Sequence, residues 1–455
     1  MDEHVHDCIV VGAGPAGSAA ALQMARDGLD VVLLERGRVP GEKNVMSGVL
    51  ITNKLATLVP DYRQRAPLER CITGGYELYV LGENELLRLP SLRDFGRRDR
   101  VDPPFTVFRA KFDAWFAGEA EKAGAEMFTE TLVEDLLWED GRVAGVRTRR
   151  GDLRASVVLG ADGVNSTVAE KAGLGREAGP DNVSLIAREV LDLPAERIEE
   201  RFALRPGEGV LSLFYGMVPG AQEQGGTYYS ELYTNQDSLS FTVEIQLDSL
   251  QAAGVAVYDV MAERERHPFI SRLLEGTTLR EYQAHLIPYG GVGNLELLFG
   301  DGVLLAGDAG WFTTVNGVGS WPAMVSGVAA ARTVKRACSA GDCSKPALAV
   351  YLDYLADEGL LETQREARAD WEKRGRSPGF LTRNPEGIVR LAKRYYEGWL
   401  PEQETHSRSL WSEAYQELVR PVDPRYLRWP LGLAAWVDNY RWQRQQRRKR
   451  KVGSS

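Results

Sequence analysis

The chain has 455 residues, of which 44% are hydrophobic and 26% are charged, and its formal net charge is −9. This composition is typical of a globular protein of two or three domains, and no run of about twenty apolar residues predicts a membrane-spanning helix. Four cysteines in so long a chain argue against a disulfide scaffold, and the acidic balance does not fit a nucleic-acid-binding protein.

The N-terminus predicts a cytoplasmic protein. The first apolar strand begins within seven residues of Met1, and Asp2 and Glu3 precede it. A secretory signal peptide would need a basic start followed by a longer apolar stretch.

The first predicted unit is a strand, a glycine-rich turn and a helix. Residues 8–11 are apolar and predict a buried parallel strand, and residues 18–25 predict a helix. The turn between them carries the G-x-G-x-x-G pattern, and its residues are Gly12, Gly14, Pro15, Ala16 and Gly17. The first glycine permits the tight turn, the second lets a pyrophosphate approach the backbone, and the third lets the helix pack on the strand. The pyrophosphate then lies at a helix N-terminus, which favours negative charge.

A second strand, residues 31–34, ends in Glu35, about 20 residues beyond the glycines, where the ribose of a dinucleotide needs an acceptor. An acidic residue at this position favours FAD or NAD over NADP. Arg36 opens a loop that runs to Leu50 and can reach across the cofactor.

The middle of the chain alternates predicted strands and helices. Residues 61–70 are expected to be irregular and polar, 76–80 a half-buried strand, 93–104 an exposed connection, and 109–123 a helix ended by Gly124. Strands follow at 126–129, 132–138 and 143–148, the last two joined by a hairpin, and a buried strand at 157–161 delivers Asp162 and Gly163.

Residues 183–250 alternate β-branched or aromatic residues with polar ones, which predicts an antiparallel sheet distinct from the nucleotide domain. A buried strand then returns before Gly307 and Asp308, a helix begins near Ser320 and continues through Thr333, and the chain is helix-rich from Pro346. The glycine cluster at 290–293 precedes a strand, so it is read as a loop and not as a second dinucleotide site.

Cys338 and Cys343 have a C-x4-C spacing. A redox dithiol or half of a metal site is one interpretation, and a surface loop flanked by unpaired thiols is the other. A four-thiolate cluster would need partners that the sequence does not contain, so the loop is preferred.

The motifs in this order resemble the flavoprotein superfamily of aromatic hydroxylases, geranylgeranyl reductases and electron-transfer-flavoprotein dehydrogenases. Within it, the chain is most similar to the FixC-type electron-transfer-flavoprotein:quinone oxidoreductases. The segments that carry this closer similarity are 41–48, 109–115, 161–166 and 232–235. The resemblance covers roughly residues 5–355.

The resemblance implies an α/β fold. Its parts are a Rossmann-like FAD-binding domain of the glutathione-reductase, hydroxylase-like type, an antiparallel β-sheet substrate domain and a helical C-terminal region. We expect residues 1–70, 101–180 and 286–345 in the FAD domain, 71–100 and 181–285 in the quinone or substrate domain, 346–440 in the helical region, and 441–455 in a basic tail.

The resemblance also implies where the FAD lies. Gly307 and Asp308 meet the ribityl chain, Asp162 and Gly163 lie near the adenosine and pyrophosphate, and Arg109 lies against the FAD. Two loops approach the isoalloxazine ring, and their expected cofactor residues are Lys43, Asn44, Gly48, Asn316, Gly317, Val318 and Gly319. The N–H groups that begin the helix after the second loop can stabilise the negative charge of a reduced flavin.

Mitochondrial members of this family carry a cysteine-ligated iron–sulfur cluster near the C-terminus. No cysteine follows Cys343 here, so the resemblance implies a separate small ferredoxin-like subunit or a direct route from the donor flavin. The other expected partners are a two-subunit electron transfer flavoprotein and a quinone. No metal site, catalytic histidine, catalytic cysteine or carboxylate pair is evident from the sequence.

Two alternatives remain open: a flavoenzyme acting on an isoprenoid or another small molecule, as geranylgeranyl reductases and hydroxylases do, and a non-catalytic FAD-binding or assembly protein. The two alternatives and the quinone oxidoreductase reading all share the FAD motifs.

The segment 426–451 suggests a peripheral membrane contact. Aromatic and aliphatic residues precede seven basic ones, which are Arg441, Arg444, Arg447, Arg448, Lys449, Arg450 and Lys451. Aromatic rings favour the bilayer interface, and a polybasic cluster is attracted to anionic lipid. The alternative is a last helix packed on the body and followed by a solvated tail.

Overall fold

The computed structural model describes residues 4–42, 48–73, 75–89, 103–217, 227–313, 318–374, 388, 389 and 392. Residues 93–102 of the predicted exposed connection, most of the helical region beyond residue 374 and the basic tail lie outside the described residues.

The described strands form three sheets. In chain order they are β1 (Val5–Val11), β2 (Val31–Leu34), β3 (Val49–Leu50), β4 (Leu68–Cys71), β5 (Tyr76–Leu81), β6 (Leu86–Leu89), β7 (Phe105–Val107), β8 (Glu126–Phe128), β9 (Val133–Glu139), β10 (Arg142–Thr148), β11 (Gly151–Gly160), β12 (Val183–Asp192), β13 (Leu211–Met217), β14 (Thr227–Thr234), β15 (Ser238–Gln246), β16 (Thr278–Pro288), β17 (Phe299–Gly300) and β18 (Val303–Leu305).

The described helices pack on these sheets. They are α1 (Pro15–Arg26), α2 (Asn53–Leu58), α3 (Tyr62–Arg65), α4 (Arg109–Lys122), α5 (Thr167–Ala172), α6 (Ala195–Phe202), α7 (Leu247–Ala253), α8 (Val257–Arg266), α9 (Pro268–Leu274), α10 (Ser320–Ala340), α11 (Lys345–Leu348), α12 (Tyr351–Asp357) and α13 (Leu360–Arg374). Short 3-10 turns occur at Leu295–Leu297 and Gly307–Gly310.

The first sheet is the predicted Rossmann-like sheet. Its order is β17-β18-β11-β1-β2-β8, with β10 and β9 attached beside β11. The central strand β1 pairs in parallel with both neighbours, Val10 lying between Leu33 and Leu159. All four residues of β2 are buried, as expected of a parallel strand covered on both faces. The carboxyl ends of these strands therefore meet at one edge of the sheet.

The second sheet has seven strands in the order β16-β12-β15-β14-β13-β5-β6. The predicted antiparallel pairing holds from β16 through β13, but β13 pairs in parallel with β5, which comes from a much earlier part of the chain. One face carries an apolar core that includes Phe214, Phe241 and Ile198 of α6. The strand β16 crosses the domain boundary expected at residue 286.

The expectation that residues 61–70 are irregular and polar was wrong. They contain α3, the start of β4 in a three-stranded sheet (β3-β7-β4), and a buried arginine. Arg70 is 2% exposed, and its guanidinium donates to the carbonyl oxygens of Asn235 (2.6 Å) and Gln236 (3.0 Å). Its Nη1 also donates to the carbonyl oxygen of Glu208 (3.2 Å) and pairs with Glu199 of α6 (3.1 Å). The polar groups of this arginine are thus satisfied, and it links β4 to α6 and to the turn between β14 and β15.

The glycine cluster at 290–293 does not lead directly into a strand, because the 3-10 turn Leu295–Leu297 lies between it and β17. Among the described residues, none of the helices is both long enough and apolar enough to span a bilayer.

The helices α1 and α10 lie so close that glycine is required between them. A Cβ on Gly327 would stand 2.2 Å from the carbonyl oxygen of Ala16, and one on Gly307 would stand 2.8 Å from the Ala16 side chain. Because backbone atoms cannot yield as a flexible side chain can, no larger residue fits at position 327. This contact fixes the N-terminal half of α1 against α10.

We expect Gly327→Ala to lower the free energy of unfolding by about 1–3 kcal/mol, through overpacking between the two helices. Gly118 is the matched control: it lies within α4, and a Cβ there would meet no atom within 4 Å. Gly118→Ala should raise stability by about 0.5–1 kcal/mol, because alanine loses less conformational freedom in a helix. Urea unfolding of both variants checks the pair, and equal stability would contradict the packing argument.

Candidate cofactor site

The cleft at the carboxyl edge of the first sheet gathers most of the predicted cofactor residues. Those that line it are Gly12, Gly14, Pro15, Ala16, Glu35, Arg36, Arg109, Asp162, Gly163, Gly307, Asp308, Val318 and Gly319. The structure therefore brings together segments that lie up to 300 residues apart in the chain. Lys43, Asn44, Asn316 and Gly317 lie outside the described residues.

The three glycines of the turn have different surroundings. Gly12 has a φ of +102°, and a Cβ there would lie 2.4 Å from the carbonyl oxygen of Ala161. Gly17 packs on the turn itself, because a Cβ added at this position would lie 1.9 Å from the carbonyl oxygen of Gly12. At Gly14 the nearest atom to an added Cβ is Nη2 of Arg109, at 3.8 Å. Gly14 thus faces open space that a ligand can fill.

The N-terminus of α1 is prepared for an anion. Gly14 is its N-cap in an extended conformation, Pro15 occupies the first turn, and no side chain caps the helix. The N–H groups of a first helical turn have no partner within the helix, so they and the helix dipole attract negative charge. Because Gly14, Pro15 and Ala16 line the cleft, a pyrophosphate fits here.

The Glu35 carboxylate is oriented by backbone donors. Ala13 N–H donates to its Oε2 (3.1 Å) and Gly37 N–H donates to its Oε1 (2.7 Å). Each carboxylate oxygen can accept a further hydrogen bond, so Glu35 can still receive a ribose hydroxyl. The two backbone bonds join the glycine turn to the end of β2.

Arg109 is held across the cleft by a buried carboxylate one turn later on α4. Its Nε and Nη2 donate to the two oxygens of Asp113, each at 2.6 Å, and Asp113 is fully buried. This bidentate pair fixes the guanidinium plane. Burial raises the pKa of Asp308, and the nearby Arg109 charge opposes that shift.

Asp162 stabilises the turn that follows β11. Ser166 Oγ donates to its Oδ1 (2.5 Å) and Val168 N–H donates to its Oδ2 (3.2 Å), while Ser166 in turn caps α5. Burial raises the pKa of Asp162 despite these donors. Both carboxylate oxygens therefore have partners in α5 or at its N-cap. The neighbouring Gly163 has a φ of +87°, and a Cβ added there would meet no atom within 4 Å.

The second glycine-flanked aspartate lies where α10 begins. Gly307 N–H donates to Ser326 Oγ (2.9 Å), and a Cβ on Gly319 would lie 3.4 Å from Asp308 Oδ1. Gly319 is the N-cap of α10, which also has no side-chain cap. A second uncapped helix N-terminus therefore opens on the same cleft.

The far wall of the cleft belongs to the second sheet, and sequence reasoning did not assign it. Ile186 of β12 and His285, Ile287 and Pro288 of β16 line this wall. Burial lowers the pKa of His285, and the charges of Arg109 and Arg36 lower it further. Side chains alternate between the two faces of a strand, so His285 and Ile287 lie on one face of β16. This alternation was the sequence signal that could have predicted the wall.

Two buried hydroxyl groups in the cleft support a polar cofactor. Thr313 Oγ1 and Ser320 Oγ are buried without a hydrogen-bond partner among the described residues, and both residues line the cleft. Buried polar atoms are rarely left unpaired, so a ligand with its own polar groups is the natural partner. With the open space at Gly14, these atoms fit the polar chain of FAD.

Two features singled out from the sequence, Gly48 and the C-x4-C segment, lie outside the cleft lining. Gly48 is absent from the cleft lining, and a Cβ there would overlap the ring of Tyr233. Ser339 and Ala340, expected in a loop between two thiols, are the last residues of α10, and Cys338 and Cys343 are both free.

His4 and His6 both contact Asp30 Oδ2, at 2.7 and 3.0 Å, to form a group of metal-ligand type where the sequence analysis found no metal site.

The comparisons with known proteins indicate an FAD-dependent protein. Residues 7–239 match the family model described as FAD dependent oxidoreductase. Protein FixC of Escherichia coli O157:H7 is 38% identical over 373 residues, covering 80% of this chain and 84% of that protein. Protein FixC of Bradyrhizobium diazoefficiens is 36% identical over 367 residues, covering 80% and 83%.

Among solved structures, a geranylgeranyl bacteriochlorophyll reductase-like protein from Thermoplasma acidophilum has a TM-score of 0.68 over 91% of this chain and 97% of that one. Its 20% identity supports the fold alone. Fold and site together define an FAD-dependent oxidoreductase, with FAD as the cofactor. Within that class, the chain belongs to the FixC family.

We expect Gly14→Val to purify without most of its FAD, because the side chain fills the space left for the pyrophosphate, while the apoprotein keeps its unfolding temperature. Flavin absorbance per protein and thermal unfolding measure the two effects. Gly12→Val should instead prevent folding, because its Cβ meets the backbone of Ala161. A yellow Gly14→Val protein with full flavin occupancy would contradict the assignment.

Proposed function

We propose that this flavoprotein takes electrons from a two-subunit electron transfer flavoprotein and passes them to a membrane quinone. The proposal combines the FAD-dependent oxidoreductase class with the resemblance of segments 41–48, 109–115, 161–166 and 232–235 to FixC-type quinone oxidoreductases. The observation that carries it is the composition of the cleft, which has a cofactor-binding wall and a mixed apolar and polar wall.

FAD supplies the electron-transfer chemistry, accepting and releasing one or two electrons. The chain supplies orientation and electrostatics. The N-termini of α1 and α10 and the guanidinium of Arg109 place positive potential along the cleft. Such potential favours bound phosphate groups and the more negative, reduced form of a flavin.

The second wall suits a flat, partly apolar acceptor. Ile186 and Ile287 offer aliphatic surface. His285 lies opposite Ile186 in the sheet and two residues before Ile287 on β16. A quinone ring needs apolar contact for its faces and a few polar groups for its carbonyl oxygens. This wall offers both.

The sequence carries no second dinucleotide-binding pattern that could serve a nicotinamide donor. The G-x-G-x-x-G pattern occurs once in the sequence, and it is used by the turn before α1. Electrons are therefore proposed to enter from a protein, either directly or through a separate ferredoxin-like iron–sulfur subunit.

The second candidate is a reductase or hydroxylase acting on an isoprenoid or another small molecule. The fold similarity to a geranylgeranyl bacteriochlorophyll reductase-like protein favours it, because one fold can host several chemistries.

We expect the purified holoprotein to reduce a short-chain quinone when supplied with its reduced electron transfer flavoprotein, while NADH and NADPH reduce its FAD far more slowly. Stopped-flow absorbance of the flavin measures both reactions. Flavin bleaching by NADPH at the rate of turnover would favour the second candidate.

The segment 426–451 is proposed to bring the cleft to the bilayer in which a quinone dissolves. Each of the seven basic residues between 441 and 451 should contribute about 1 kcal/mol of attraction to an anionic surface. We expect truncation after Asn439 to release the protein from anionic vesicles in a sedimentation assay, and added salt to weaken the intact protein's binding. A full-length variant with the seven basic residues replaced by glutamine is the matched control, because it removes the charge of the tail without shortening the chain. Equal binding by all three proteins would exclude the tail as the contact.

A further inference from the structure

The amino edge of the first sheet, opposite the cofactor cleft, carries a group of three metal-ligand side chains. His4 lies immediately before β1, His6 lies two residues later within it, and Asp30 immediately precedes β2. Their ligand atoms, one from each side chain, lie within 4.8 Å of one another. No step of the proposed function uses this group.

Both imidazoles converge on one carboxylate oxygen. Nε2 of His4 lies 2.7 Å from Asp30 Oδ2, and Nδ1 of His6 lies 3.0 Å from the same atom. The two rings meet edge to face, with their centroids 4.5 Å apart. Residues two apart along an extended chain project to the same side, so the His-x-His spacing explains why both rings reach Asp30.

The fold holds two of the three side chains in place. The carbonyl oxygen of Asp30 accepts from the N–H groups of Asp7 (3.0 Å) and Cys8 (3.2 Å), and the Asp30 N–H donates to Asp7 Oδ2 (2.9 Å). The side chain of His6 is only 12% exposed. His4 is 71% exposed, so it is free to move and complete a site.

The charges around the group favour a cation. Within the described part of the chain, Asp30 forms ion pairs with the two imidazoles and with no lysine or arginine. The Asp7 carboxylate that accepts from the Asp30 N–H adds a second negative charge beside the first. Three residues before Asp30, Lys335 is already paired with Asp27 (2.8 Å). Two carboxylates beside neutral imidazoles therefore attract a divalent cation.

The donor atoms select the class of cation. Imidazole nitrogen and carboxylate oxygen suit first-row transition metals such as zinc, nickel and cobalt, whereas calcium and magnesium take oxygen ligands. Around a tetrahedral zinc ion, neighbouring ligand atoms lie about 3.3 Å apart. The contacts to Asp30 reach this spacing if they open by roughly half an ångström, which the exposed His4 permits.

We propose that His4, His6 and Asp30 bind one divalent first-row transition-metal ion, which ties the start of β1 to the start of β2. Three protein ligands leave a coordination position for water. The part of β1 from His6 to Val11 separates the ion from the glycine turn by about 17 Å of strand. The ion is therefore structural, and the site does not depend on the proposed function.

The first test measures zinc binding to the untagged, full-length, FAD-bound protein by equilibrium dialysis at micromolar free zinc. The wild type should hold one zinc ion per chain. His4→Ala, His6→Ala and Asp30→Asn should each weaken binding about tenfold or more, because losing even an outer-shell partner costs about 10- to 100-fold. His4→Ala removes an exposed side chain, so its flavin content and its unfolding temperature without zinc should match those of the wild type.

Asp27→Asn is the matched control. Asp27 lies three residues before Asp30 at the C-cap of α1, and its partners are Lys335 and Gln23 (3.1 Å). Zinc affinity should survive this substitution. Absence of zinc binding by the wild type would mean that the three side chains form hydrogen bonds only. Equal binding by Asp30→Asn and the wild type would mean that the His-x-His segment binds zinc alone. Either result would overturn the proposal.

The free thiols need a separate control, because Cys338 Sγ lies 3.8 Å from the carbonyl oxygen of Asp7. A variant that carries both Cys338→Ser and Cys343→Ser should keep the zinc ion. X-ray absorption of the zinc-loaded protein should show nitrogen or oxygen neighbours at about 2.0–2.2 Å and no sulfur at about 2.3 Å. Sulfur neighbours, or loss of zinc from the thiol variant, would assign the ion to the cysteines and contradict the proposed site.

The second test asks whether the ion ties the two strands together. A ligand that binds the folded protein and not the unfolded chain raises stability. Zinc should therefore raise the unfolding temperature of the wild type and of Asp27→Asn by a few degrees, and leave that of Asp30→Asn unchanged. Flavin absorbance per protein should be the same in all three proteins. Zinc binding without any rise in the unfolding temperature of the wild type would exclude the structural role.

Discussion

The contact between α1 and α10 is the constraint on which the cofactor cleft depends. Both helices start at the same edge of the first sheet, and Gly327 lets the α10 backbone approach the carbonyl of Ala16. Gly307 makes a similar approach from the turn after β18. Since each helix N-terminus is uncapped, the packing that brings the helices together also places two positive dipole ends beside one cleft. Stability and cofactor binding therefore depend on the same small residues.

The buried charges near the cleft fall into two kinds. Arg109 is paired in bidentate fashion with Asp113, and Arg70 with backbone carbonyls, so their charges are satisfied and their positions are fixed. Glu231 is of the second kind: Thr242 Oγ1 donates to it, and burial and the charge of Glu244 raise its pKa to about 8. The first kind orients groups, whereas the second kind favours the neutral, proton-bearing state.

Local sequence patterns predicted much of the first wall of the cleft, which is the wall formed by the carboxyl edge of the first sheet. The strand, turn and helix around Gly12 and the acid at Glu35 are contiguous in sequence, so their register follows from spacing alone. The second wall depends on which strands pair across 50 to 150 residues, and no local pattern states that β12 lies between β15 and β16. For the same reason the sequence showed no carboxylate pair: Glu231 and Glu244 become neighbours only through the β14–β15 register. Arg70 was read as a polar loop residue because its acceptors lie at least 129 residues away in the chain.

The two walls divide the work in a way that follows from their construction. A parallel sheet presents helix N-termini at its carboxyl edge, so this wall binds anions and stabilises electron-rich states. An antiparallel sheet presents alternating side chains on one face, so this wall can carry a row of groups from His285 through Glu244 to Tyr229 without interrupting its own core on the other face. The cleft between the two walls therefore has room for an anionic cofactor on one side and a partly apolar molecule on the other, because Ile186, His285 and Ile287 face it from the second sheet.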